Sequence, residues 1–206
     1  LTDDEKLELF HRAKTFTGGE CLSIAGTGCN SPARTAELSL AAQEEGVDAL
    51  LVVSPYYNKA TPAGLYAHYN AVAHSVDIPV ILYNVPSRTG VAIQPATYAA
   101  LAEHPMIAAI KEANGDISKA IETAALVGDK LDLYSGNDDQ IVPLMALGGK
   151  GVISVLSNVL PRETVELCDR VEVPRREYER KLFPGYVLVK MVMTDEMWYI
   201  VRNTNG

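Results

Sequence analysis

The chain is short of cysteine, tryptophan and positive charge, and each shortage removes a class of explanation. Its three cysteines, Cys21, Cys29 and Cys168, show neither disulfide nor metal-ligand spacing, which excludes a disulfide scaffold and suits a reducing cytosol. The four histidines, His11, His68, His74 and His104, are scattered and form no helical ligand pair, so no metal site is expected. No apolar run is long enough to span a bilayer and the start does not resemble a signal peptide, so a cytoplasmic, membrane-free protein is expected. Eighteen basic side chains face 26 acidic ones, a net charge of −8, which argues against a nucleic-acid surface over the whole molecule. Residues 171–206 hold six Lys and Arg against five Asp and Glu, so the acidity lies in the first 170. Phosphate-loop chemistry is missing too. Gly26-Thr27-Gly28 lacks a third glycine, and Gly148-Gly149-Lys150-Gly151 precedes a strand instead of following one. There is no carboxylate pair and no Ser/His/Asp order.

What is present is rhythm. Thr2-Asp3-Asp4-Glu5 predicts a capped helix to about residue 16, ended by Thr17-Gly18-Gly19. The sequence opens without a methionine inside this pattern, so its true start is expected upstream. Apolar, strand-like runs follow at 21–25, 49–53, 80–83, 107–111, 131–135 and 152–155. Alanine-rich amphipathic segments separate them, at 33–45, 63–76, 95–103, 117–127, 138–146 and 162–168. Alternation at this spacing predicts repeated βα units and a parallel sheet buried on both faces. About six units are visible, where a closed barrel has eight. The fold class is therefore an incomplete TIM (β/α)8 barrel lacking its first two strands. After Arg170 the composition breaks: Pro-Gly followed by alternating aromatic and aliphatic residues, Tyr186 to Met193, predicts a short β-rich C-terminal tail.

The run Met106-Ile107-Ala108-Ala109-Ile110-Lys111-Glu112-Ala113 ends a buried strand in a lysine. At the carboxyl end of a barrel strand an ammonium can be partly desolvated, its pKa lowered, and its amine freed to attack a carbonyl. Tyr83 also closes a strand, so its hydroxyl can reach the same mouth and move protons. Arg88 follows in Ser87-Arg88-Thr89-Gly90, where a guanidinium can clamp a carboxylate. Tyr56 and Tyr57 are loop aromatics suited to packing or to an interface.

Ser54-Pro55-Tyr56-Tyr57-Asn58-Lys59, Tyr83-Asn84-Val85-Pro86-Ser87-Arg88-Thr89-Gly90, Ile110-Lys111-Glu112-Ala113 and Leu147-Gly148-Gly149-Lys150-Gly151-Val152-Ile153-Ser154 resemble the dihydrodipicolinate synthase (4-hydroxy-tetrahydrodipicolinate synthase) family over about residues 1–170. Relatives such as N-acetylneuraminate lyase share the lysine and tyrosine but usually not the arginine loop; another pyruvate-dependent aldolase of that superfamily stays open as the alternative. The resemblance implies a Schiff base between Lys111 and pyruvate, with no other cofactor and with Tyr83 as proton-transfer partner. Arg88 would hold the carboxylate of aspartate semialdehyde, and Gly136 and Ile153 would line the pocket. Tyr57 would be lent across a dimer interface, implying a homodimer or tetramer. Asn30 and Tyr56 match an allosteric lysine site, in which Arg34 replaces a glutamate of enterobacterial enzymes.

The family's first two strands and their Gly-Thr-Thr-Gly-Glu loop have no counterpart, so weak activity is expected. Residues 179–206 resemble part of the N-terminal domain of NusG-type elongation factors, carried by Arg180-Lys181-Leu182-Phe183-Pro184-Gly185-Tyr186 and Trp198-Tyr199-Ile200. Residues 171–178 would be the junction. With only a third of that domain present, RNA polymerase binding by the tail is not expected.

Overall fold

The computed structural model describes residues 1–171. Helix α1 (Asp3–Thr17) has the expected capping box: the Glu5 amide donates to Thr2 Oγ1 at 3.2 Å and the Thr2 amide donates to Glu5 at 2.7 Å. Gly18, with φ 57°, closes it in the left-handed conformation that glycine adopts without penalty. Beyond it, strands β1 (Ile24–Gly26), β2 (Ala49–Val53), β3 (Val80–Asn84), β4 (Ile107–Glu112), β5 (Asp132–Ser135) and β6 (Gly151–Val152) form one parallel sheet in chain order. Helices α2 (Pro32–Glu44), α3 (Pro62–Ala73), α4 (Pro86–Thr89), α5 (Pro95–Leu101), α6 (Ile117–Val127), α7 (Ile141–Ala146) and α8 (Pro161–Val171) follow the strands. Two of them begin with the same local grammar, a hydroxyl cap before a first-turn proline: Ser31-Pro32 and Thr61-Pro62.

The four strands β2 to β5 agree with the expected runs to within one residue. The flanking strands do not. β1 covers only 24–26 of the neighbourhood expected at 21–25, and β6 stops at Val152 where 152–155 was expected. Residues 156–158 form a 3-10 turn instead, because the amides of Val155 and Leu156 turn aside to bond the Asp138 carboxylate. Val171, expected in the junction, is the last residue of α8. The rest of the junction and the NusG-like tail lie outside the described residues.

Burial on both sheet faces is also corrected. Side chains of a strand alternate between faces. Leu50, Val52, Val80, Leu82 and Ile110 are fully buried against α2, α3 and α5 in a core that includes Ala42, Leu65, Tyr69, Val72, Tyr98 and Leu101. The opposite face, with Ile24, Leu51, Val53, Tyr83 and Tyr134, is only partly covered among the described residues. A closed barrel buries that face against its own far strands, and six strands supply no such cover. Among the described residues no helix is long and apolar enough to cross a membrane.

Candidate active site

The carboxyl ends of β3 and β4 carry the site. Their register pairs Tyr83 with Lys111 and Asn84 with Glu112. Paired residues of neighbouring strands share a face, so Tyr83 and Lys111 stand together on the partly open face while Asn84 and Glu112 stand together on the helix face. Lys111 Nζ lies 4.3 Å from the centroid of the Tyr83 ring. The lysine is 9 % exposed. Burial lowers its pKa below the ordinary lysine range, and the Asp138 carboxylate partly opposes that shift. Burial raises the Tyr83 phenol in turn, against the field of the Arg88 guanidinium.

The wall beside Lys111 is built by glycine. A Cβ on Gly136 would stand 2.8 Å from Ala113 Cβ, 3.1 Å from Lys111 Cγ and 3.2 Å from the Glu112 carbonyl. Only a residue without a side chain lets the β5 end lie against the lysine stem. Ile153 joins the same rim, its amide donating to the Ser135 carbonyl at 2.9 Å. Arg88 sits exposed in the single-turn α4 and reaches the site through its field on Tyr83.

Other expected residues are not gathered here. Tyr57 is 90 % exposed with φ 72°, and Tyr56 is 42 % exposed. The Asn30 carbonyl accepts from Asn58 Nδ2 at 2.9 Å, and Arg34 is ion-paired with Asp3. Among the described residues no group of three His, Cys, Asp or Glu can hold a metal ion.

Sequence reasoning missed two features. Asp138, read only as the start of a helical segment, accepts from the Ser154 hydroxyl and from the amides of Val155 and Leu156 at 3.3 and 3.0 Å. These bonds hold its pKa down, and the ionised group is the charge that acts on Lys111. Glu112, 1 % exposed, was read only as part of a motif. Its carboxylate accepts from Asn84 Nδ2 at 2.9 and 3.2 Å, from the Tyr98 hydroxyl at 3.1 Å and from the Asn114 amide at 2.9 Å. Burial pushes it up to about 7, outweighing these donors. For Glu112 the signal available in sequence was positional: it directly follows Lys111 on a buried strand, and so lands on the helix face.

The profile of the Dihydrodipicolinate synthetase family matches residues 1–178. Over 170 residues the chain is 48 % identical to a 4-hydroxy-tetrahydrodipicolinate synthase from Clostridium perfringens, covering 82 % of this chain and 58 % of that protein. A 4-hydroxy-tetrahydrodipicolinate synthase from Macrococcus caseolyticus is 46 % identical over 195 residues, 95 % of this chain and 66 % of its own length. The crystal structure of dihydrodipicolinate synthase from Aquifex aeolicus superposes with a TM-score of 0.81 at 44 % identity, covering 83 % of this chain and 59 % of that one. The chain thus spans under two thirds of the length of these relatives. The NusG likeness of the tail finds no support in these matches. On sequence and on fold, the chain belongs to the dihydrodipicolinate synthetase family.

Proposed function

We propose that Lys111 forms a Schiff base with pyruvate and that the site condenses the product with aspartate semialdehyde, giving 4-hydroxy-tetrahydrodipicolinate for lysine and diaminopimelate synthesis. The observation that carries this reading is the desolvated Lys111 amine, 4.3 Å from the Tyr83 ring centroid at the ends of two paired strands. Attack on the keto carbon needs the neutral amine, and burial favours that form. The new N–C bond gives a carbinolamine; its hydroxyl leaves as water once protonated, and an iminium remains. Loss of a methyl proton then makes an enamine, whose carbon attacks the aldehyde, and the aldehyde oxygen takes up a proton. The second substrate's own amine displaces the Lys111 nitrogen as the ring closes, which breaks the N–C bond and returns the free lysine. Tyr83 is the group placed to carry protons in these steps. Arg88 binds the carboxylate of the second substrate, with Gly136 and Ile153 shaping the wall and no further cofactor required.

Tyr57 supports an oligomer. It and Lys59 are the non-glycine residues with positive φ among those described, at 72° and 49°. An exposed aromatic held in a disfavoured backbone region fits a residue lent to a second copy of the chain. We read the six strands as part of a (β/α)8 barrel lacking its first two strands, and expect trapping of pyruvate to outlast turnover in the chain by itself. Asn30 and Tyr56 would belong to a lysine-effector site weakened by the Arg34 cation.

Incubation with pyruvate and borohydride, followed by peptide mass spectrometry, tests the assignment. The expected result is a reduced pyruvyl adduct on Lys111 and none in Lys111→Ala. Labelling spread over other lysines, or surviving in Lys111→Ala, would overturn it.

A further inference from the structure

The helix face behind the site carries a feature that the reaction leaves unused. Glu112 and Asn84 are both buried, at 1 % and 0 % exposure, and they are the register neighbours of Lys111 and Tyr83. Their side chains tie five segments together. Asn84 Nδ2 on β3 donates to the Glu112 carboxylate on β4, and Tyr98 on α5 donates to the same carboxylate at 3.1 Å. The Asn114 amide brings in the loop after β4 at 2.9 Å. Asn84 Oδ1 accepts from the Ile93 amide at 3.1 Å, which fixes the far end of the loop that contains Arg88. Backbone bonds continue the pattern, the Ala113 amide donating to the Asn84 carbonyl at 2.9 Å.

We propose that the Asn84–Glu112 pair is a clasp that positions the site: it locks the carboxyl ends of β3 and β4 side by side and so holds the Lys111 amine, the Tyr83 ring and the Arg88 loop in one arrangement. Neither residue touches the reacting atoms. Both act through their strand neighbours, and Tyr98 acts through Glu112. The alternative use of a buried carboxylate, as a local charge for Lys111, fits less well. The carboxylate that acts electrostatically on the lysine is Asp138, on the other face. Glu112 faces Asn84, Asn114 and Tyr98, all of them hydrogen-bond donors, and its titratable neighbours are the buried Tyr98 and Tyr69 phenols, both raised first by burial and also by Glu112. Nothing in this arrangement demands a carboxyl group for catalysis, but it demands one for geometry: its two oxygens, in either protonation state, can accept from donors converging from three sides.

The inference rests on Lys111 as the amine nucleophile, and its test is chosen not to use pyruvate. Lys111 in the full chain is labelled with acetic anhydride across a pH series, and its reactivity is followed by peptide mass spectrometry. The native amine should titrate below ordinary lysine. Glu112→Gln, which turns an acceptor into a donor facing donors, and Asn84→Ala should let water reach the amine. They should move the midpoint upward by on the order of one pH unit, a roughly tenfold loss of neutral amine near pH 7. Val72→Ala, a cavity in the core under α3, should lower stability and leave the midpoint in place. Midpoints of both clasp variants coinciding with the native one would overturn the proposal. If those variants do not fold, Tyr98→Phe decides: it deletes one bond and keeps the ring, so a smaller upward shift supports the clasp and an unmoved midpoint sinks it. A chain that shows these shifts but never traps pyruvate would retain the clasp and lose the Schiff-base reading.

Discussion

The two faces of β3 and β4 make opposite use of the same four positions. On the helix face Asn84 and Glu112 are sealed, each polar atom matched to a donor or acceptor. On the other face Tyr83 and Lys111 are held near each other by packing and electrostatics, with the tyrosine partly open to solvent. A buried hydrogen-bonded network is costly to disturb and so fixes geometry, whereas a partly open pair can admit a ligand. One register thus gives rigidity and reactivity from alternate residues. Substitutions should weight these roles differently: the sealed face should answer in stability and, through position, in the Lys111 titration, the open face in chemistry.

The largest effect should come from titrating the sealed face. Glu112 is raised from its ordinary range to about 7. In the unfolded chain it ionises first, so its contribution to stability is fully present below about pH 4.5 and is lost as pH rises to 7. The difference amounts to about 3 kcal/mol, flattening above neutrality. Urea unfolding between pH 4.5 and 8 should show this fall in the native chain relative to Glu112→Gln, which has no charge to gain. Parallel curves for the two would remove the asymmetry between the faces.

Next should be Tyr83→Phe, which keeps the ring beside Lys111 and removes the hydroxyl. A proton carrier is worth on the order of a hundredfold in rate, so pyruvate trapping in single-turnover experiments should slow by about that much. The unfolding free energy should move by less than about 1 kcal/mol, because among the described residues this hydroxyl makes no hydrogen bond to lose. A large stability loss with unchanged trapping would invert the comparison. Gly136→Ala tests the wall between the faces. The new methyl meets Ala113 Cβ and the Lys111 stem inside normal contact distance, and over-packing of this kind costs about 1–3 kcal/mol. Trapping should fall together with stability here, since the displaced atom belongs to the nucleophile itself.

This division explains what the sequence could and could not disclose. The bounds of β2, β3 and β4 were legible because parallel strands with one face in the core and the other partly covered still read as nearly unbroken apolar runs, and the first helix start because Thr2 announces its cap. The same unbroken runs hide which residue faces which side, since no polar alternation marks the faces. The Asn84–Glu112 contact joins positions 28 apart in the chain and became visible only through the strand register. β1 and β6 were misplaced for another reason: each has one partner strand among the described residues, and three- and two-residue ladders leave little pattern to read. Tyr57 carried a family motif, but its left-handed backbone is a property of the folded loop.

Asp138 provides the finest test, because it acts on the open face by charge alone. Burial lowers the Lys111 pKa and the Asp138 carboxylate raises it. Asp138→Asn keeps an oxygen to accept from the Val155 and Leu156 amides, so the loop after β6 should stay in place. Removing the charge should lower the lysine pKa further and increase the neutral amine near pH 7. The carboxylate is partly solvated, so the gain is expected to be only about two- to threefold in trapping rate. Salt should imitate the substitution in the native chain by screening the same attraction, and should do little in Asp138→Asn. A slower variant would mean that Asp138 serves the reaction directly, as a proton acceptor or substrate ligand, and the open face would then hold three working groups where the geometry now assigns two.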